Sequence, residues 1–444
     1  MSAIAIKERW IERTVPPPAL ARSAGAVALS TVVFASVCIA AGTAGSRRWL
    51  ELPTATGPGW LQGPLRGLVP PLSVPGFGVA LSVMVVGYLL ALACARAIPL
   101  RLAVTAIVLA TVVFTLGPSL VSTDVFGYIA YAREAAAHGL NPYVSSPSSL
   151  PHDAILPFVF WKHEPSPYGP LFTFLSLPLG LVAPAVALWT YKALAGAAAI
   201  ALALVVARAA QRRGLDPTRA AILVGLNPAL LVYAVSGAHN DLLATFLAAA
   251  AIALWLTGRD SAAGAAAVAA GAIKATLGLA LPFVLVAARR RGPCTRGVLL
   301  ALAAIGIPAM LVFGGHVFDQ LHRIAGQARF DIMFSGPDRL ASALGSPIDA
   351  LVRAVAAGAA AIVAVGMLAR ALRGADPIAA AGWAFMVLLA SIASLAPWYV
   401  VWLLPFAALG RSRTLRAATV LATIYVLAVH VPALGGVPWL SAAR

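Results

Sequence analysis

Apolar runs that reach the roughly 20 residues a helix needs to cross a bilayer recur along this chain. Of its 444 residues 61% are hydrophobic and only 11% charged, so most of these runs contain no charge at all. A β-barrel would show short alternating segments instead, and the glycines and prolines inside the runs are tolerated in membrane helices. The chain therefore reads as an all-α polytopic membrane protein, a single domain over 1–444 with about 11–13 transmembrane or broken helices.

A net charge of +17 would suggest nucleic acid in a soluble protein. Here the arginines gather in short clusters at the ends of apolar runs, the pattern that orients membrane helices, so no nucleic-acid partner is expected and membrane lipids are. The three cysteines fit neither a disulfide framework nor a thiolate metal site: Cys38 and Cys94 lie inside apolar runs, and Cys294 follows an arginine cluster. The first apolar run, about 24–45, is longer than the hydrophobic part of a secretory signal, so a cytoplasmic leader (1–23) followed by a retained anchor is expected.

Placing the arginine-rich loops (Arg208 with Arg212 and Arg213; Arg289 to Arg291 with Arg296; Arg370 with Arg373; Arg411, Arg413 and Arg416) on the cytoplasmic side fixes the rest. Spans at about 24–45, 76–97 and 102–121 carry a first loop, 122–167, to the outside. A span at 219–236 puts "SGAHND" on the same side, and the next returns at Arg259. Residues 261–288 are too few for two ordinary spans, so a pair of short or broken helices with Lys274 at their turn is expected. For 168–207 the expectation is one full helix plus a broken piece near Pro178 to Pro184. A second outer loop falls at 314–347, and "LAPWYV" lies outside too.

Carboxylates are so few, 15 in all, that those at the membrane edge invite a functional reading. Asp124 opens an amphipathic loop helix on which Tyr128 and Tyr131 share its face. That face suits a sugar, but Ser122, Thr123 and Asp124 also make a good helix cap, and tyrosines are ordinary at a membrane surface. His138, just before Gly139 and Asn141-Pro142-Tyr143, reads as a group at a helix C-terminus. In "GAHND", either Asn240 or Asp241 caps the following helix, or His239 and Asn240 donate hydrogen bonds to a phosphate or sugar hydroxyl. Lys274, an ammonium at a turn deep in an apolar segment, needs an anion. Arg323, Arg329 and Arg339 break the positive-inside pattern, which suits an anionic ligand such as a lipid phosphate or a charged loop helix. Trp398 and Tyr399 fit a stacking platform and an aromatic belt equally well. No P-loop, His-Glu-X-X-His or Gly-X-Ser-X-Gly pattern is present, so neither ATP nor zinc is suggested and no cofactor is expected.

Taken in order, "STDVFGYIAYAREAAAHGLNPY", "SPYGPLF", "GAHND", "IKATLGLALPF" and "APWYVVWLLPF" resemble the actinobacterial polyprenol-phosphomannose-dependent α-1,6-mannosyltransferases of the MptA/MptB type, over most of residues 110–410. The family pattern differs at Phe126, where it has Tyr, and at Asn141, where it has Asp. The resemblance implies a GT-C-like fold in the plasma membrane, with an extracytoplasmic site. It implies polyprenyl-phosphate mannose as donor and a lipid-anchored mannan (lipomannan or lipoarabinomannan) as acceptor. It also implies Asp124 as the general base, and brings Tyr143 and Tyr168 of the quoted motifs into the candidate binding set beside Tyr128, Tyr131, His239, Asn240, Asp241, Lys274, Arg323, Arg329, Trp398 and Tyr399. No metal is expected. Transfer of another lipid-linked sugar, such as arabinofuranose, and transport of such a lipid remain the alternatives.

Overall fold

A computed structural model describes residues 19–44, 58–326, 335–337, 340, 343, 349–392 and 394–431. Every regular element among these residues is helical, which lets each backbone group find its partner locally in hydrocarbon. Helices α1 (Ala19–Thr43), α2 (Val74–Ala93) and α3 (Leu100–Leu116) occupy the first three expected crossings. The loop helix follows as α4 (Asp124–Ala136), buried along most of its length rather than on one stripe.

The segment after residue 167 divides into α5 (Pro170–Gly180, 11 residues) and α6 (Pro184–Arg212, 29 residues). Both have Pro in their first turn, where a missing N–H costs no bond. Only α6 is long enough to span, as the sequence required.

The span expected at 219–236 is not one helix. It breaks into α7 (Pro217–Gly225) and a π-helical turn, Leu230–Val235. Pro228 cannot donate to the ladder, and the Asn227 side chain takes the amides of Ala229 and Leu230 while donating to Tyr88 and Thr423. The break is thus satisfied and buried.

Next come α8 (Asp241–Leu256), α9 (Asp260–Ile273), a 3₁₀ turn (Ala275–Leu279) and α10 (Ala280–Ala287). The last three are the short, broken pair expected at 261–288, with Lys274 at the joint. The remainder is α11 (Arg291–Phe313), α12 (Asp319–Gly326), α13 (Asp349–Leu372), α14 (Pro377–Ser391), a 3₁₀ segment (Pro397–Leu403), α15 (Leu404–Leu409) and α16 (Arg413–His430). Arg329 and Arg339 lie outside the described residues.

Five helices, α1, α2, α6, α11 and α13, are long and apolar enough to cross a membrane, and seven shorter apolar helices of 10–17 residues accompany them among the described residues. Together they fall within the range the sequence set. One continuous buried core runs from Ala28 to Val431.

The charges sort to two ends of this bundle. At one, Arg213 pairs with Asp376 at 2.9 Å, Asp376 also takes the Arg411 amide, Arg219 donates to the Leu92 carbonyl, and Asp260 takes the amides of Arg289 and Arg290. At the other end sit Asp124, His239, Asp241 and Lys274. Helix α6 runs from the one to the other.

Candidate active site

Asp124 begins α4, yet its carboxylate does not cap that helix. The Ser122 hydroxyl accepts the Asp124 amide at 3.2 Å instead. The carboxylate is left to face inward, where it meets the Trp161 indole and lies 3.5 Å from Nδ1 of His239. Burial pushes it up to about 6 from 3.8; Lys274 opposes the rise, Asp241 adds to it, and the Trp161 hydrogen bond lowers it. A carboxylate titrating just below neutrality is both ionised and basic enough to take a proton.

The turn before α8 supplies the second half. His239 is buried and stacked on Trp398, ring centroids 3.7 Å apart. Burial and the nearby Lys274 hold its imidazole well below the usual range, so it is neutral. Neither Asn240 nor Asp241 caps α8: Asn240 Oδ1 accepts from the Tyr128 hydroxyl at 3.4 Å, and Asp241 takes two strong donors. These are Lys274 Nζ at 2.9 Å and Trp402 Nε1 at 2.7 Å. The anion that Lys274 requires is therefore Asp241, drawn from another helix. The ammonium also lies 5.1 Å from the Tyr399 ring centroid, a cation–π contact, and 17% of the side chain stays exposed.

Aromatic rings wall the cluster. Tyr128 meets Tyr168 edge-on at 4.8 Å, Tyr131 lies against Tyr168, and Tyr399 stacks on Trp402 at 4.4 Å. Trp398 is 5% exposed in a buried 3₁₀ segment, which sets aside the aromatic-belt reading for it. The loop bearing Trp161 closes onto α9 through Gly169, whose amide donates to the Ile273 carbonyl at 3.1 Å. A Cβ on that glycine would collide with the Ala272 carbonyl. Only glycine permits this approach, next to Lys274.

Among the described residues, no three His, Cys, Asp or Glu side chains gather as metal ligands would.

Two matches to family models cover most of the chain. Residues 22–290 match the alpha-(1->6)-mannopyranosyltransferase N-terminal domain and residues 340–441 the MptB C-terminal domain. The chain belongs to the MptA/MptB mannopyranosyltransferase family. It is similar to alpha-(1->6)-mannopyranosyltransferase A of Mycobacterium tuberculosis, at 33% identity over 234 residues, 49% of this chain and 44% of that protein. A second alpha-(1->6)-mannopyranosyltransferase of M. tuberculosis is 28% identical over 70% of this chain and 66% of its own length. The Corynebacterium glutamicum alpha-(1->6)-mannopyranosyltransferase A is 28% identical over 37% of this chain and 34% of its own. The chain thus matches less than two thirds of the length of each relative. No solved structure matches it.

Of the candidate residues read from the sequence, Asp124, Tyr128, Tyr131, Tyr168, His239, Asn240, Asp241, Lys274, Trp398 and Tyr399 converge. Arg323 stands at the margin, donating to the Tyr143 carbonyl at 2.8 Å. Tyr143 is fully buried, its hydroxyl engaged by Thr173 and the Tyr168 carbonyl and its ring against Phe313. That placement makes it a packing residue between α5 and α11. His138 pairs with Asp153, which Arg133 also grips at 2.9 Å, rather than with helix carbonyls. Trp161 and Trp402 were not singled out from sequence, because one indole among ten gives no signal of the carboxylate it will meet.

Proposed function

We propose that this protein transfers a mannosyl residue from polyprenyl-phosphate mannose to a growing lipid-anchored mannan at the extracytoplasmic face of the plasma membrane. The observation that carries the reading is the Asp124 carboxylate, uncommitted to its own helix and set beside His239 within reach of the Lys274 charge. Its position opposite the arginine-rich end supports the extracytoplasmic placement under the positive-inside rule.

A glycosyl phosphate carries its own leaving group, so neither nucleotide nor ATP is required. Asp124 takes the proton of the acceptor hydroxyl as that oxygen bonds to the sugar C1. The C1–O bond to phosphate breaks, and the polyprenyl phosphate departs with the electron pair. Lys274 and Arg323 meet the charge that develops on it. Neutral His239 serves as a hydrogen-bond donor that orients Asp124 or a phosphate oxygen, rather than as a second cation. The part-exposed rings of Tyr168 and Tyr399 offer surface for a sugar to stack on, backed by the buried Tyr128 and Trp398. One displacement on a β-linked donor gives an α-linked product.

The test uses the purified full chain with radiolabelled polyprenyl-phosphate mannose and a lipomannan-like acceptor, comparing wild type with Asp124→Asn. Transfer by wild type alone, with inverted anomeric configuration, is expected. Equal transfer by a folded Asp124→Asn protein, or a product retaining the donor configuration, overturns the assignment of the base. Labelled arabinofuranose transferred in preference to mannose overturns the donor, and movement of the lipid across a vesicle membrane without covalent product supports the transporter instead.

A further inference from the structure

We infer that Lys192, acting with Ser236, is a positioning residue that holds the two loops carrying Asp124 and His239 in register. The inference rests on the reading of Asp124 as the base.

Lys192 lies on α6 and is completely buried. Its three N–H donors are directed at three carbonyls: Phe114 at 3.2 Å, Pro118 at 3.3 Å and Ser236 at 2.8 Å. Phe114 belongs to the last turn of α3, and Ser236 directly follows the π-helical turn. The ammonium thus sits where two helices present their electronegative ends, which stabilises a cation without a carboxylate. An ammonium has only these three donors, and all are used. Ser236, also fully buried, closes the arrangement: its hydroxyl donates to the Pro118 carbonyl at 3.0 Å and accepts the Leu120 amide at 3.2 Å.

Both loops need holding. Among the described residues, Val121 and Ala238 are the two non-glycine residues with positive φ, 52° and 54°. Val121 lies just before Asp124 and Ala238 just before His239. That conformation is disfavoured for any side chain and most of all for a β-branched one, and persists where surrounding contacts over-determine it. Lys192 and Ser236 fasten the start of both strained turns to each other. A methionine of similar length would fill the same volume at no desolvation cost, so packing alone does not account for a buried charge here. What the lysine adds is direction: three bonds that set where each loop leaves its helix.

The test compares wild type, Lys192→Met and Ser236→Ala as full chains in the same lipid nanodiscs. Because misplacement of reacting groups by about 1 Å costs on the order of 100-fold, kcat is expected to fall roughly 10- to 100-fold while the donor KM stays within about threefold. The acid midpoint of the pH–kcat profile is expected to move as well, since the charged and titratable groups facing Asp124 (His239, Lys274, Asp241 and the phenols of Tyr128, Tyr131, Tyr168 and Tyr399) change their distance from it. Amide exchange of peptides covering 118–124 and 236–241 is expected to quicken, with 260–273 unaffected. Unchanged kcat and midpoint in an active, folded Ser236→Ala or Lys192→Met protein overturn the inference, as does exchange that quickens uniformly along the chain. A wild type that transfers no sugar removes the functional reading but leaves the exchange experiment to judge the fastening itself.

Discussion

Replacing the proposed base should make the protein more stable. Asp124 titrates near 6 rather than 3.8 because burial opposes its charge. Each pH unit between those values corresponds to about 1.4 kcal/mol, so holding the carboxylate ionised costs at most roughly 3 kcal/mol. The side chain retains 19% of its exposure, and solvent screening brings the expected figure to about 1–3 kcal/mol. The sign follows from the direction: a carboxyl raised on folding is neutral and costless in acid, and its cost grows as pH rises and is complete above the folded value. Asp124→Asn keeps an acceptor for the Trp161 indole and abolishes the charge. At pH 7.5 the mutant should therefore melt higher than wild type in the same detergent, by roughly 1–5 °C for a chain of this length, while losing transfer. At pH 4.5, still above the unfolded value of 3.8, about a third of that gap should remain, and it should close as pH falls below 3.8. A mutant that melts at or below wild type at pH 7.5, or a gap that is the same at both pH values, refutes the reasoning.

Transfer itself should fall as pH drops through about 6, where Asp124 gains its proton, and a pH–rate profile with no acid limb above pH 5 contradicts that assignment. Lys274→Met leaves the buried Asp241 with Trp402 as its remaining donor, and should cost about 3–5 kcal/mol in unfolding experiments. Adding Asp241→Asn should recover most of that stability but not transfer. Glu134 is fully buried, neither carboxyl oxygen has a hydrogen-bond partner among the described residues, and burial pushes it up to about 8. Its neutral form is compatible with the fold, so wild type should lose stability as pH rises from about 4.5 to about 8, above which the loss is complete, and Glu134→Gln should flatten that loss in melting curves between about pH 5 and 8. Transfer in the presence of a chelator should proceed at an undiminished rate; a loss restored by added divalent ion would place a metal in the reaction.

Rarity made much of the site legible. In a chain with 15 carboxylates, Asp124, Asp241 and Lys274 stand out against alanine and leucine, and the expense of charge near lipid gives each a claim on a partner. Which partner each would find was not legible. Lys274 meets Asp241 across 33 residues, a pairing that depends on how α8 and the α9 joint pack. The break at 261–288 followed from counting residues between Arg259 and the Arg289 to Arg291 cluster, whereas the break at Asn227-Pro228 lies inside a run of normal length and needed the side-chain bonds to show it. Lys192 carries a readable signal, a lone lysine within an apolar run, but its partners are backbone carbonyls, which no residue type marks in a sequence. Tyr143 shows how little a motif says of placement: the structure buries it and engages its hydroxyl with Thr173.

Among the described residues, helix α13 has little protein around it. Leu351, Val355, Ile362 and Val365 all point outward, and only 11% of its most apolar window is buried. Between Ala220 and Asp241, by contrast, every side chain is buried. Acyl chains are fluid and accept any apolar shape, while packed neighbours accept one. The two regions therefore face different selection. On α13 leucine, valine and isoleucine can drift freely into one another, while the stretch from Ala220 to Asp241 is constrained residue by residue. Divergence between relatives should accumulate on the lipid-facing wall first, and a saturation mutagenesis map of the chain should show that boundary without reference to catalysis.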